Sequence, residues 1–370
     1  MRPLRIAQVG PVATSIPPPR SGSVELMTSL LTEGLVARGH DVTLFATGTS
    51  HTRASLHATF PRGYADDPSL WPWEACELFN VAAAVEQASR FDIIHCQAMY
   101  WPMALPFSRL AATPLVQTLH HAPSALEVAL WSRYRDVPFI AISQEQARLL
   151  SGLNVVGVVQ HAVDTDRFAF QARPEDYFVF LGRFTEGKGV LQAIEIARRT
   201  GTRLLLAAAE NDYYREVIAP HVDGTDIVYV GEVDHARKVA LLGGARTLLY
   251  PIQSGEPFGL VLAEAMACGT PVAALDRGAV REVVEQGVTG GIFESLDALV
   301  AGLPQVLALD RQRVRMRAVE QFGTARMVDE YLAVYERLLV SPVARVDAGP
   351  GGSRDAAAGA SDVPGRPRGA

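Results

Sequence analysis

Hydrophobic and polar positions alternate along this chain in a pattern that runs once through the first half and then starts again. In the first half, short apolar runs predict strands at residues 4–10, 41–46, 91–96, 113–119 and 138–143. The segment 23–38 between the first two runs has helical periodicity, and Gly39 is suited to end that helix. Strands that alternate with helices favour a parallel sheet covered on both faces.

The second half repeats the pattern. Apolar runs predict strands at residues 177–182, 202–208, 226–231, 246–251 and 270–275. Helices are predicted near residues 187–199, 234–243 and 258–268. Two doubly wound α/β sheets are the simplest account, and the polar connection 158–176, which lacks clear periodicity, is the predicted join.

A last amphipathic segment follows Phe322, and its apolar residues recur at three- and four-residue spacing, which predicts a helix. Residues 341–370 contain mainly Ala, Gly, Pro, Arg, Asp and Ser, with no aromatic residue, and are predicted to be disordered. The predicted domains are therefore 1–162 and 163–322, followed by a helix at 323–340 and a tail at 341–370.

Composition narrows the function classes. The 370 residues are 48% hydrophobic and 20% charged, as in ordinary globular proteins, and the net charge of −6 does not favour nucleic acid or an anionic membrane. The three scattered cysteines have no CxxC spacing, which gives neither a zinc signal nor a disulfide framework. No run approaches the roughly 18 apolar residues of a membrane span, so a cytoplasmic protein is expected.

The segment "SGEPFGLVLAEAMACGTPV" combines buried-core composition with two carboxylates, Glu256 and Glu264. Pro257 keeps Glu256 out of helical conformation, so Glu256 is predicted in a loop after a strand. A helix is predicted to begin at Phe258 or Gly259, and its free N–H groups would suit an anion. Glu264, inside that helix, could accept hydrogen bonds from a vicinal diol such as a ribose. The alternative is that Glu264 pairs with an arginine or faces water.

This segment resembles the Glu-x7-Glu signature of glycosyltransferase family 4, a group of retaining enzymes with the GT-B fold. The resemblance covers most of residues 4–339. It includes "FLGRFTEGKGVLQAIEIA", which is similar to the family's Gly-Arg…Glu-Lys-Gly segment, and "YVGEV". It also includes "MACGTPVAALDRGAVREVVEQGVTGGIF" and, in the first half, "RSGSVELMTSLLTEGLVARGHDVTLFA". The implied architecture is two Rossmann-like domains that face each other across a cleft.

The resemblance implies catalytic roles for four residues. Arg183 and Lys188 would hold the diphosphate and stabilise the charge that develops on the leaving group. Glu256 would hold hydroxyls of the donor sugar. His120, at the end of a strand, would point into the cleft near the reacting carbon, although a purely structural histidine is the alternative.

The resemblance also implies how the rest of the donor is held. Glu264 would bind the nucleotide ribose, and backbone groups of Phe258, Gly259 and Leu260 would line the phosphates and sugar. Glu232 and Val233 would hold the base, mostly through backbone atoms.

Two positions depart from the family pattern. Many relatives have Gly-Gly where this chain has Gly22 and Ser23 in the acceptor-side loop, and Ser23 is expected to add an N-cap hydroxyl. Ala162 replaces a glycine in "HAVD", which predicts a small adjustment at the hinge.

Asp164 and Asp166 form a DTD triplet in the interdomain connection, where a metal site is not expected. The aromatic-rich segment 69–79 could line an acceptor site or simply pack.

The predicted function is transfer of a sugar from a nucleotide-diphosphate sugar to an acceptor hydroxyl, with retention and without a metal or a cofactor. A UDP- or GDP-linked donor is favoured, and glycan, lipid-linked and small-molecule acceptors remain open. The alternatives are a nucleotide-sugar 2-epimerase of the same fold and a non-catalytic nucleotide-sugar-binding protein. A peripheral position at the inner face of a membrane is the alternative to a purely cytoplasmic one. Oligomeric state is left open.

Overall fold

Two parallel β-sheets, one in each half of the chain, organise the computed structural model, which describes residues 2–20, 22–97 and 102–340. The first sheet contains β1 (Arg5–Val9), β2 (Asp41–Thr47), β3 (Ser55–Phe60), β4 (Ile93–Cys96), β5 (Leu115–Thr118), β6 (Pro138–Ala141) and β7 (Asn154–Val158). The second sheet contains β8 (Phe178–Leu181), β9 (Leu204–Ala207), β10 (Ile227–Gly231), β11 (Thr247–Tyr250), β12 (Val272–Leu275) and β13 (Gly290–Phe293). The predicted tail at 341–370 lies outside the described residues.

Helices cover the sheets. In the first half they are α1 (Ser23–Ala37), α2 (Trp73–Glu86), α3 (Ala125–Trp131) and α4 (Gln144–Leu149). In the second half they are α5 (Val190–Thr200), α6 (His235–Gly244), α7 (Leu260–Ala267), α8 (Val280–Val283), α9 (Leu296–Leu307), α10 (Arg311–Phe322) and α11 (Thr324–Val340). The predicted fold class, two doubly wound Rossmann-like sheets, is confirmed.

Strand order places the ligand-binding edge of each sheet. The first sheet has the order β3-β2-β1-β4-β5-β6-β7, and the second has the order β10-β9-β8-β11-β12-β13. In each, the direction of winding reverses at one pair, β1/β4 in the first sheet and β8/β11 in the second. Ligands of doubly wound sheets bind outside the carboxyl ends of such a pair. The loops after β8 and β11 are therefore where a donor site is expected.

Helix α11 packs on the first sheet although it follows the second in sequence. Its apolar face shares a core with Leu4, Ile6 and Met27. A buried polar network reinforces this packing, because the hydroxyl of Tyr335 lies 2.6 Å from Nδ1 of His95 and accepts from Gln8 Nε2 at 3.0 Å. Burial lowers the pKa of His95 to about 3, so its ring is neutral in this network.

The helix predicted at 187–199 is wrong at its start. A 3-10 turn, Glu186–Lys188, comes first, and α5 begins only at Val190 because Gly189 adopts φ 75°, which a helix cannot continue through. Within residues 2–20, 22–97 and 102–340, no helix is both long and apolar enough to span a bilayer.

Candidate active site

The loops after β8 and β11 are joined backbone to backbone at the switch point of the second sheet. The N–H of Gln253 donates to the carbonyl of Gly187 at 2.9 Å. A Cβ added to Gly189 would lie 1.9 Å from the carbonyl oxygen of Pro251, and one on Gly278 would lie 2.4 Å from the backbone nitrogen of Glu256. Both approaches require glycine, and they fix the loop that carries Glu256 from two sides.

This joint brings Lys188 and Glu256 together. The Lys188 ammonium forms an ion pair with Oε2 of Glu256, and their side chains are 24% and 12% exposed. The same carboxylate oxygen accepts from the hydroxyl of Tyr250, the last residue of β11, at 2.8 Å. Burial, followed by the charge of Glu256, raises the pKa of Tyr250 well above its usual value, so it remains a donor. Glu256 is thus held by a cation and a hydroxyl.

Arg183 lies at the same edge, two residues after the end of β8. It is exposed and forms no ion pair or side-chain hydrogen bond with any described residue. Phe184 next to it is fully buried and stacks on Tyr214, which anchors the backbone beside the exposed guanidinium. Arg183 is therefore available to a ligand without breaking a contact within the protein.

Glu264 has its own lysine. It is only 4% exposed, and its Oε1 forms an ion pair with Lys238 of α6. The Lys238 ammonium also lies 5.5 Å from the ring centroid of Phe168. A buried carboxylate needs such compensation. The two glutamates of the sequence motif therefore do not share a cation. Glu256 pairs with Lys188, and Glu264 pairs with Lys238.

Helix α7 begins later than predicted. Its first residue is Leu260, and Gly259 is the N-cap with φ 83°, a conformation that cannot belong to the helix. Phe258, which is 1% exposed, therefore anchors the loop and is not helical. The N-terminal N–H groups of α7 lack partners within the helix, as at every helix start. Gly269 follows α7 with φ 85°, as expected of a residue that ends a helix.

A histidine stack joins the first domain to this loop. The rings of His120 and His161 are stacked with centroids 5.2 Å apart, and His161 meets Phe258 edge-on at 5.1 Å. Both ring nitrogens of His120 are buried and without a hydrogen-bond partner among the described residues. Burial, followed by the neighbouring histidines, lowers the pKa of His120 well below its usual value. A neutral ring with two unsatisfied nitrogens is thus linked to the loop of the second domain through His161.

Two further contacts cross between the domains. Glu232, predicted near the base, pairs with Arg20 of the first domain at 3.6 Å, and Val233 beside it packs on the core of the second. The carboxylate of Glu282 accepts from the backbone N–H groups of Gln144 and Glu145 at the start of α4, both at 2.7 Å. The helix dipole favours such an anion. These contacts connect the two domains.

The acceptor-side loop differs from the expectation. Ser23 is the first residue of α1, and Gly22 is the N-cap, so Ser23 does not cap the helix and no side-chain cap bond is present. Glycine is needed at position 22 for space, since a Cβ there would lie 2.8 Å from both Glu25 Oε2 and Pro18 Cβ. Ala162, in place of the commoner glycine, is fully buried against α11.

A second buried carboxylate, Glu77 of α2, holds the loop after β1. Its Oε1 accepts from the N–H of Val12 at 3.0 Å, and the residue is 1% exposed. Burial is the main cause that raises its pKa to about 7, and the charge of Glu25 adds to it. Because this pKa is higher in the folded protein, ionising Glu77 costs stability as pH rises from about 4.5 to about 7.

We expect Glu77→Gln to stabilise the protein at alkaline pH and to have little effect near pH 4.5. A pKa raised from 4.5 to about 7 by folding corresponds to at most about 3 kcal/mol. Thermal unfolding measured from pH 5 to pH 8 should show a melting-temperature advantage that widens with pH. Glu74→Gln, an exposed position on the same helix, is the control and should show no such trend. A constant difference across pH would contradict the assignment to Glu77.

Three residues of the site were not predicted from the sequence: Lys238, Tyr250 and His161. The need of a buried Glu264 for a cation was the available signal for Lys238, but nothing in the local pattern marks this lysine among the others. Within the described ranges, no group of three or more His, Cys, Asp or Glu side chains could hold a metal ion. Asp164 is the N-cap of the 3-10 turn Thr165–Arg167 in the connection, and Asp166 lies within that turn.

Two family models match this chain. The family model described as glycosyl transferases group 1 matches residues 163–320, and the model described as glycosyltransferase family 4 matches residues 24–167. The chain is 27% identical to the phosphatidyl-myo-inositol mannosyltransferase of Mycobacterium tuberculosis over 379 aligned positions, which cover 90% of this chain and 97% of that protein.

Two solved structures share the fold. A glycosyltransferase involved in avilamycin A biosynthesis superposes with a TM-score of 0.70 at 24% identity, covering 91% of this chain and 98% of the other. An Anabaena protein in complex with UDP and glucose superposes with a TM-score of 0.68 at 17% identity, covering 90% of this chain and 100% of the other.

Proposed function

We propose that this chain, a glycosyltransferase of the group 1 and family 4 type with a GT-B fold, moves a sugar from a nucleotide-diphosphate donor to an acceptor hydroxyl with retention of configuration. The observation that carries the proposal is the joint at the β8/β11 switch point. There, the Lys188–Glu256 pair and Arg183, which has no ion pair among the described residues, lie on adjacent loops, and the neutral His120 is linked to the loop after β11 through His161 and Phe258. The comparisons favour neither the epimerase nor the non-catalytic alternative.

In this proposal the second domain holds the donor. Glu264, oriented by Lys238, accepts hydrogen bonds from the ribose hydroxyls. Glu232 and Val233 border the base, and the N–H groups at the start of α7 face the phosphates. The Anabaena protein was solved with UDP and glucose, and the donor proposed for this chain is UDP- or GDP-linked.

Catalysis then requires no protein nucleophile and no metal. The bond between the anomeric carbon and the phosphate oxygen breaks while the acceptor oxygen bonds to the same face of that carbon. The acceptor proton passes to an oxygen of the departing phosphate. Arg183 and Lys188 stabilise the charge of the leaving diphosphate, and Glu256 holds sugar hydroxyls. His120, whose buried ring nitrogens have no hydrogen-bond partner among the described residues, contacts the sugar near the reacting carbon in this proposal.

The test is a panel of UDP-, GDP- and ADP-sugars, scored by thermal shift and by slow release of free nucleotide. One donor is expected to raise the melting temperature of the wild type and to be hydrolysed slowly. Glu264→Ala should abolish that stabilisation, because the ribose loses its acceptor. Glu195→Ala, an exposed glutamate on α5, is the control and should behave like the wild type. If no donor binds, or if binding ignores Glu264, the proposed function is wrong.

A further inference from the structure

Helix α3 has an outward face that is entirely apolar. Leu126 is 83% exposed and Leu130 is 55% exposed, and Ala125 and Ala129 are exposed beside them. At 100° per residue these four positions span an arc of roughly 140°. Surface helices normally turn polar residues outward. The inward face is apolar as well, because Val128 and Trp131 pack in the core with Phe139.

A neighbouring turn extends this surface. Leu110, which is 76% exposed, follows the 3-10 turn Pro106–Arg109. The Arg109 guanidinium donates to the carbonyl of Arg133 at 2.8 Å and lies 4.7 Å from the ring centroid of Tyr134. The turn therefore lies beside the end of α3. We call Leu110, Leu126 and Leu130 the leucine face.

Positive charge borders the leucine face, although the whole chain carries a net charge of −6. Arg133 and Arg135 are exposed and form no ion pair with any described residue. Of the two acidic side chains nearby, Asp136 pairs with Arg109 at 3.4 Å. The other, Glu127, accepts from the N–H of Ser124 at 2.7 Å and faces His121. The arginines are thus left unneutralised at the edge of an apolar surface.

We propose that the leucine face docks on an anionic lipid bilayer, with the leucines in the acyl boundary and Arg133 and Arg135 among the headgroups. Exposed leucines bordered by arginines match the two layers of such a surface, an apolar interior and an anionic rim. A lipid-linked acceptor follows from this docking, and that part of the inference rests on the proposed transferase function.

The docking surface is connected to the cleft by a short path. Glu127 of α3 lies 3.1 Å from Nε2 of His121, and His121 adjoins His120 in sequence. The face consequently lies on the domain proposed to bind the acceptor, next to the strand end that carries His120.

Sedimentation of the full chain with vesicles tests the proposal. The wild type is expected to bind vesicles of equal parts phosphatidylcholine and phosphatidylglycerol, to bind pure phosphatidylcholine weakly, and to lose affinity as salt rises. Reversing both charges in Arg133→Glu/Arg135→Glu should weaken binding by at least about 25-fold, because each arginine near an anionic surface contributes about fivefold. Leu126→Glu/Leu130→Glu should weaken it by at least about tenfold.

Two controls keep the outcomes distinct. Met316→Glu/Val319→Glu, at positions 56% and 41% exposed on α10, adds the same two negative charges elsewhere and should bind as the wild type does. All variants should retain the melting temperature and the donor hydrolysis of the wild type. Failure of the wild type to bind anionic vesicles, or unchanged binding by both double variants, overturns the proposal. A dimer that Leu126→Glu/Leu130→Glu dissociates, without vesicle binding, would assign the face to a second copy instead. Vesicle binding without any donor turnover would contradict the transferase function and leave the docking surface intact.

Discussion

Replacing Arg183 by alanine is expected to lower the rate of donor turnover by about 100- to 1,000-fold without destabilising the protein. The size of the loss is typical of removing one fixed group that stabilises charge in a transition state. Stability should not change, because Arg183 is exposed and has no ion pair or side-chain hydrogen bond among the described residues. Hydrolysis of the donor identified by the panel measures the effect, alongside the melting temperature.

Arg173→Ala is the matched control for this variant, since Arg173 is also exposed and lies in a loop of the same domain. It should turn over the donor at the wild-type rate. Arg183→Lys should recover part of the lost activity, because a cation remains but the planar pair of donors does not. Wild-type turnover by Arg183→Ala would remove Arg183 from the mechanism.

Lys188→Met is expected to reduce turnover by about 1,000-fold or more and to destabilise the protein as well. The additional effect arises because Glu256 loses its cation and keeps only the hydroxyl of Tyr250. Removing one partner of a fully buried pair costs about 3–5 kcal/mol, and the partial exposure of this pair reduces that to about 1–3 kcal/mol. Turnover and thermal unfolding, measured on the same preparation, separate the two effects.

The double variant Lys188→Met/Glu256→Gln distinguishes a catalytic lysine from a structural one. Neutralising Glu256 removes the unpaired carboxylate, so the melting temperature should return towards that of the wild type. Turnover should stay low, because the cation that faces the leaving group is still absent. Recovery of both properties would mean that Lys188 serves only to neutralise Glu256.

The strands in the interior of both sheets could be predicted from the sequence because they are continuous apolar runs. Three strands were missed, and each is at or near an edge. β3 has no buried residue, β7 contains Gly157, and β13 opens with Gly290 and Gly291. A Cβ at Gly290 would lie 2.3 Å from the carbonyl oxygen of Val272. Glycine is therefore needed here because two strands approach closely, and a hydrophobic residue would not fit. That reason is visible only in three dimensions.

The same limit applies to the candidate site. The positions of Glu256 and Glu264 on a loop and a helix follow from Pro257, Gly259 and the apolar pattern. The cations that pair with these carboxylates could not be predicted from the local sequence. Lys188 and Lys238 reach Glu256 and Glu264 from other elements, 68 and 26 positions away in the chain. Chemistry predicts that a buried carboxylate has a cation, but only the packing of α6 on α7 identifies which one.

The close approaches at Gly189 and Gly278 have a consequence for engineering this enzyme. The loop from Pro251 to Glu256 is held between two backbone segments with no room for a single additional methyl group on either side. Insertions or altered lengths in this loop would disrupt the sheet edge before they changed the specificity for the sugar. Libraries that seek a new donor should therefore leave both glycines and the loop length unchanged and vary the side chains of the facing first domain.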